Sequence, residues 1–185
     1  ISKLKAMRKI SIIISIIFFI SCSNQTSIEE DVPSFETEIK NLREINNELI
    51  NTSPKEIKTV FKLGSKIKNT ALNLYVRYHK SYSDEENEFL FQCAATGSEA
   101  AQKYKDATDY FLKAQRKFPN SKNAPIYLHN RARILDNILE DKNNARLAFE
   151  ELIELYPQHQ LSINAQLYLD NAFGKSDQEL LDLIN

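Results

Sequence analysis

Two stretches of the chain share the same spacing of alanine, phenylalanine and proline: Ala107-Thr-Asp-Tyr-Phe-Leu-Lys-Ala-Gln-Arg-Lys-Phe-Pro119 and Ala145-Arg-Leu-Ala-Phe-Glu-Glu-Leu-Ile-Glu-Leu-Tyr-Pro157. In both, phenylalanine follows the first alanine by four residues and proline follows it by twelve. A small alanine suits a close helix crossing, and phenylalanine can fill the space beside it. Proline ends a helix because it lacks the backbone N–H donor. The pattern therefore predicts two equivalent helices, 38 residues apart.

These stretches resemble the second helix of a tetratricopeptide repeat. The residues that carry the resemblance are Ala107, Phe111, Ala114, Pro119, Ala145, Phe149 and Pro157. Leu152 departs from the family, which has alanine at that position, and the interval exceeds the roughly 34 residues of a standard repeat. The resemblance covers about residues 88–185 and implies antiparallel helix pairs stacked side by side.

The rest of the body also favours helices, because glycine (3) and proline (5) are scarce in the 185 residues. Three Ser-x-x-Glu patterns, beginning at Ser53, Ser83 and Ser176, predict capped helix starts. Gly64 interrupts a long helical segment and is expected to bend it. The predicted fold class is all-α: a short tetratricopeptide-like solenoid over 84–185 with a C-terminal cap helix, preceded by a helical pair over 34–83.

The N-terminal segment has the pattern of a signal peptide. Met7 is followed by Arg8-Lys9 and then by an apolar run from Ile10 to Ile20. This run is shorter than the roughly 20 residues needed to span a bilayer. We therefore expect a signal peptide over 1–21, with translation starting at Met7 and residues 1–6 lying upstream of it.

Ser21-Cys22 at the end of this run resembles the lipobox of bacterial lipoproteins, although Phe19 stands where leucine is usual. The resemblance implies cleavage between Ser21 and Cys22 and lipidation of Cys22, which would anchor the protein in a membrane. The polar, acidic residues 22–33 then form a tether. The Phe118-Pro119 and Tyr156-Pro157 endings, with the long interval between them, resemble those of repeat lipoproteins and envelope proteins of bacteria with two membranes. These include the outer-membrane β-barrel-assembly lipoprotein and the repeat protein associated with the Tol–Pal system.

Charge and motifs exclude several functions. The chain from Cys22 onward has 20 basic and 25 acidic residues, so nucleic acid is not an expected partner. No metal-binding spacing, phosphate loop or nucleophile motif occurs in the sequence. We therefore expect no catalytic residues, no metal ligands and no cofactor.

The remaining candidate is a surface that binds proteins. First helices of stacked pairs line one side of such an array, and the candidate partner-binding residues there are Gln92, Thr96, Glu99, Tyr127, Asn130, Arg131 and Arg133. The resulting hypothesis is an envelope adaptor or scaffold at the outer membrane, facing the periplasm or the cell surface, in outer-membrane assembly or maintenance. The alternative is a surface lipoprotein that binds nutrients or glycans. The oligomeric state stays open.

Overall fold

Within residues 34–182, the part of the chain that the computed structural model describes, every regular element is a helix. The predicted all-α fold class is therefore confirmed. The predicted signal peptide, Cys22 and the tether lie outside the described residues. The helices are α1 (Phe35–Asn51), α2 (Ile57–Tyr78), α3 (Asp84–Ala100), α4 (Tyr104–Lys117), α5 (Ala124–Asn137), α6 (Lys142–Leu155), α7 (Gln160–Asn171) and α8 (Asp177–Asp182).

Helices α1 to α7 pack on one another in chain order. Short connections turn the chain back after each helix, so neighbours run antiparallel. The ends of α1 and α2 demonstrate this, because Arg77 near the end of α2 donates two hydrogen bonds, of 2.9 and 3.0 Å, to Glu38 near the start of α1. The structure is therefore a stack of helices in which each one depends mainly on its neighbours.

The core follows the stack as three consecutive clusters of buried residues. The first joins α1, α2 and α3 around Leu42 and Ile67, and the second joins α3, α4 and α5 around Phe111. The third joins α5, α6 and α7 around Leu152. Pro33–Asn185 form a compact unit with these clusters inside it, so we expect this segment to fold on its own.

Helices α4 and α6 occupy equivalent places in the stack. Each has 14 residues, and Ala107 and Ala145 are both fully buried near their starts. Each ends at an aromatic residue before proline, with closely similar backbone angles: φ −126°, ψ 58° at Phe118 and φ −132°, ψ 53° at Tyr156. The two copies seen in the sequence therefore end in the same local geometry.

Two of the three expected capped starts are confirmed. Ser83 and Glu86 bond each other's backbone N–H at the start of α3, and Ser176 and Glu179 do the same before α8. The prediction at Ser53 is wrong. Its hydroxyl accepts from the backbone N–H of Lys55 at 3.3 Å, a local turn that competes with helix formation. As a result α2 begins only at Ile57.

Large apolar residues at the start of α2 are not part of the core. Ile57 and Phe61 are 63% and 44% exposed, and the buried side of the helix starts at Leu63. The first six residues of α2 therefore bury no side chain fully, although they include large apolar residues.

Gly64 lies within α2, which is continuous from Ile57 to Tyr78. It lies where α2 crosses α3, opposite Gly97. A Cβ atom on Gly64 would lie 2.6 Å from the Cβ of Ala100 and 2.7 Å from the carbonyl oxygen of Gly97. A Cβ atom on Gly97 would lie 2.8 Å from the carbonyl oxygen of Gly64. The two backbones are thus in direct contact, and only glycine fits at either position.

We predict that Gly64→Ala lowers the free energy of unfolding by about 1–3 kcal/mol, because the added methyl group overpacks the crossing. At an unconstrained helix position the same change would stabilise the protein by about 1 kcal/mol, so the two cases differ in sign. Urea unfolding followed by circular dichroism measures the effect. The control is Thr59→Ala, an exposed change on the same helix. A Gly64→Ala protein as stable as the wild type would contradict the close crossing.

Candidate functional site

The first helices of the successive pairs, α3, α5 and α7, share one side of the stack. Arg133 on α5 forms an ion pair with Glu99 on α3, with 2.5 Å between Nη2 and Oε1. Gln92, Thr96 and Glu99 follow at helical spacing on α3, and the Thr96 hydroxyl donates to the carbonyl oxygen of Gln92 at 2.9 Å. We call this side the first-helix face. Gln92, Thr96, Glu99, Asn130 and Arg133 are all partly exposed, as a binding surface requires.

A groove of about 370 Å³ opens between α5 and α7 on this face. Its lining combines apolar and polar residues, namely His129, Arg133, Asp136, Asn137, Phe149, Asn164, Ala165 and Tyr168. Ala165 and Phe149 are buried and form an apolar floor, whereas Asn137 and Asn164 are exposed and can offer amide groups to a ligand. The groove has the composition of a site for an apolar group flanked by hydrogen-bonding atoms.

A buried carboxylate joins α5 to α7 below the groove. Asp136 accepts from Lys142 Nζ at 2.6 Å on one oxygen and from the Tyr168 hydroxyl at 2.6 Å on the other. Burial, together with the bond to Asp136, raises the pKa of Tyr168 to about 12. The phenol of Tyr168 therefore stays a neutral hydrogen-bond donor at pH 7. Both oxygens of Asp136 are occupied by bonds that hold these helices together.

The same device joins α3 to α5. Glu88 on α3 accepts from the Tyr127 hydroxyl on α5 at 2.7 Å, and from Ser121 and Asn123 at 2.5 and 3.1 Å. Burial alone would raise the pKa of Glu88, but the hydrogen bonds from Ser121, Tyr127 and Asn123 lower it below its ordinary value. In each case a carboxylate on one first helix binds the tyrosine hydroxyl of the next.

The prediction that Tyr127 binds a partner is therefore wrong, because only 1% of the residue is exposed. Its ring packs in the core against Phe111, with the ring centroids 6.3 Å apart. Its hydroxyl is engaged by Glu88. The residue sets the spacing of α3 and α5 and does not contact solvent.

Arg131 does not share the face with Arg133. Burial lowers the pKa of its guanidinium, whereas the nearby carboxylates of Glu151 on α6 and Asp109 on α4 raise it. These neighbours belong to the second helices. Residues two apart in a helix do not face the same way, so Arg131 lies on the side of the second helices, and we correct its assignment to the first-helix face.

His129 borders the groove as a neutral group. Burial lowers the pKa of His129, and the positive charge of Arg133 lowers it further. A hydrogen bond with Asn130 raises the pKa, but by less than the other two effects lower it. Its ring lies edge-on to Phe149, with centroids 6.5 Å apart. At pH 7 the imidazole therefore adds to the apolar part of the groove and carries no charge.

Of the residues that line the groove, Arg133 was a predicted binding residue and Phe149 a predicted repeat residue. The sequence did not reveal the others, which are His129, Asp136, Asn137, Asn164, Ala165 and Tyr168. The repeat pattern predicts Leu161 to Phe173 as the first helix of a third unit, in the place that α7 occupies. What was missing was the register of α5, without which the residues facing α7 could not be paired.

Cys93 lies on α3, away from the face. It is fully buried, and burial raises the pKa of its thiol to about 12. It therefore behaves as a small apolar residue of the first core cluster.

The described part of the chain contains no group of three or more His, Cys, Asp or Glu side chains that could hold a metal ion. Between residues 34 and 182, no helix is both long enough and apolar enough to cross a bilayer. Comparison of the chain with protein-family models, curated proteins and solved structures gives no significant match.

We predict that Glu88→Gln lowers the free energy of unfolding at pH 7 by about 1–3 kcal/mol, since it replaces a charged acceptor of three hydrogen bonds. Because the pKa of Glu88 is lowered in the folded state, its contribution is present above the ordinary value of 4.5 and is lost as the pH falls below it. The variant should therefore lose less stability than the wild type on acidification. Urea unfolding at several pH values tests this.

Glu85→Gln is the matched control, because Glu85 is an exposed carboxylate on the same helix. Equal losses in the two variants, or an unchanged pH dependence in Glu88→Gln, would rule out the role assigned to the Glu88 carboxylate.

Proposed function

We propose that this protein is a non-catalytic, lipid-anchored adaptor of the bacterial cell envelope that binds other proteins through the first-helix face. The observation that carries the proposal is the α5–α7 groove, in which exposed amide groups surround an apolar floor. Tetratricopeptide-like helix pairs commonly use this side to bind extended segments of their partners.

The groove suits a peptide segment that inserts one apolar side chain. Its volume of about 370 Å³ is too small for a folded element but accommodates a side chain and adjoining backbone. Asn137 and Asn164 could bond that backbone, since each amide both donates and accepts. The charge of Arg133 is largely balanced by Glu99, so the groove selects for shape and hydrogen bonding more than for charge.

The absence of catalysis is part of the proposal and is supported by how the titratable groups are used. Asp136 and Tyr168 bind each other, and His129 has a lowered pKa beside Arg133. A general base needs an acceptor that is free to take a proton from a substrate. These groups serve instead to hold α5, α6 and α7 together.

The envelope location rests on the sequence. The basic residues before the apolar run and the Ser21-Cys22 pair support export and lipidation. We place the protein at the outer membrane, facing the periplasm, with the cell surface as the alternative. A role in outer-membrane assembly or maintenance follows from the resemblance to repeat lipoproteins of that system.

We predict that a photo-cross-linking residue at Asn164 captures a specific envelope protein in cells, because this position borders the groove. Asn164→Arg and Asn137→Arg should reduce co-purification of that partner at least about tenfold, by blocking the groove with a large charged side chain. The matched control is Asn143→Arg, the same change at an exposed position of α6. Quantitative mass spectrometry of the captured material measures both effects.

Capture that survives both groove variants but is abolished by Asn143→Arg would place the binding surface on the second helices. If soluble glycans raise the melting temperature while no protein is captured, the glycan-binding alternative takes precedence.

We predict that the protein isolated from membranes begins at Cys22 and carries added acyl mass, and that Cys22→Ala abolishes the modification. Several acyl chains, at about 0.8 kcal/mol per buried methylene, give a lasting anchor. Intact-mass analysis and membrane fractionation measure the two properties. An unmodified wild-type protein that keeps its leader would disprove the lipid anchor and leave the groove to be tested separately.

A further inference from the structure

Positive charge is segregated in one segment of the body. Residues 57–83 contain six basic residues and no acidic one, namely Lys58, Lys62, Lys66, Lys68, Arg77 and Lys80. Residues 34–182 as a whole contain 20 basic and 22 acidic residues. The segment therefore has a charge opposite in sign to that of the body around it.

Three of these lysines form a stripe along the first half of α2. Lys58, Lys62 and Lys66 recur every fourth residue, which places them on one side of the helix, and all three are exposed. In the part of the chain that the structure describes, no ion pair involves them, whereas Lys68 is paired with Asp106 at 3.0 Å. Their charges are therefore available to a partner.

Large apolar side chains lie next to this stripe. Ile57 and Phe61 occupy adjacent turns of α2 and are exposed, and so is Ile50, just before the turn that joins α1 to α2. Such residues are costly to leave in water when they stand together. We call Ile57, Lys58, Phe61, Lys62 and Lys66 the α2 tip.

We propose that the α2 tip binds the surface of an anionic lipid bilayer, with Ile57 and Phe61 at the boundary between headgroups and acyl chains and the lysine ammonium groups on lipid phosphates. Apolar and basic residues side by side on one helix are the pattern of interfacial helices. The cationic members of the tip are all lysine. Protein interfaces are depleted in lysine and enriched in arginine, so a lipid surface fits this composition better than an acidic protein does.

The position of the tip is compatible with a lipid on Cys22 but does not depend on it. The tip lies at the far end of α1 from Ser34, and 17 helical residues span about 25 Å. The twelve residues from Cys22 to Pro33 can reach about 40 Å when extended. One bilayer could therefore hold the acyl chains and contact the tip, which would fix the orientation of the stack relative to the membrane.

The experiment uses the chain from residue 22 onward with Cys22→Ser, so that no acyl chain contributes. Flotation with vesicles of phosphatidylcholine alone, or with about 30% phosphatidylglycerol, measures the partition coefficient. We expect binding only to the anionic vesicles, weakened by salt. The triple change Lys58→Gln, Lys62→Gln, Lys66→Gln should reduce the partition coefficient on the order of a hundredfold, at about fivefold for each lysine.

Matched controls separate the tip from net charge and from apolar area in general. Lys103→Gln, Lys105→Gln, Lys122→Gln removes three exposed lysines elsewhere and should leave most of the binding. Phe61→Ser should weaken the binding that remains at high salt, whereas Leu147→Ser, at an exposed leucine of α6, should not. Circular dichroism verifies that all variants are folded.

The proposal is overturned if the protein does not distinguish anionic from neutral vesicles, or if the two lysine triples lose binding equally. If an acidic protein binds the chain instead and requires Lys58, Lys62 and Lys66, that protein is the occupant of the tip. Because lipidation and the α5–α7 groove take no part in this experiment, its failure would leave the proposed adaptor function untouched.

Discussion

The arrangement of the stack depends on how closely α2 and α3 approach at Gly64 and Gly97. Neither position has room for a Cβ atom, so the crossing is made by backbone against backbone. A contact of this kind has one register, because sliding either helix would bring a side chain into the gap. The α1–α2 pair is thereby fixed to α3, and α3 in turn begins the series of pairs. Farther along, α4 and α6 also carry fully buried small residues, namely Ala107, Ala114, Ala145 and Ala148.

Buried hydrogen bonds connect the first helices to one another in addition to the close packing. Glu88 accepts a hydrogen bond from the Tyr127 hydroxyl, and Asp136 accepts one from the Tyr168 hydroxyl. The same kind of bond therefore links α3 to α5 and α5 to α7. Glu88 accepts three hydrogen bonds, and each carboxylate oxygen of Asp136 accepts one. Such bonding is the condition under which a buried charge is tolerated. The helices that carry the groove residues are therefore held in place both by core packing and by these hydrogen bonds.

The sequence predicts most where the information is local. The apolar pattern of α4 and α6 and the capping pair at Ser83 are contained within single helices, and the structure agrees with them. The contact of Gly64 with α3 was not predicted, because no pattern within α2 identifies the residues of another helix that lie against it. The register of α5 was inaccessible because this helix is buried on more than one side, which removes the periodicity that distinguishes inside from outside. Tyr127 was assigned to the surface for that reason.

The buried thiol of Cys93 has a consequence for the lifetime of the protein. Burial raises the pKa of this thiol to about 12, so little of the reactive thiolate forms at neutral pH and the folded chain resists oxidation and mixed-disulfide formation. The protection comes from the packing of α3 in the first core cluster, because an exposed cysteine would have no such protection. In an oxidising compartment, any opening of α3 would expose a reactive sulfur that oxidants could trap before the helix returns. Survival would then be governed by the rate of opening as much as by equilibrium stability.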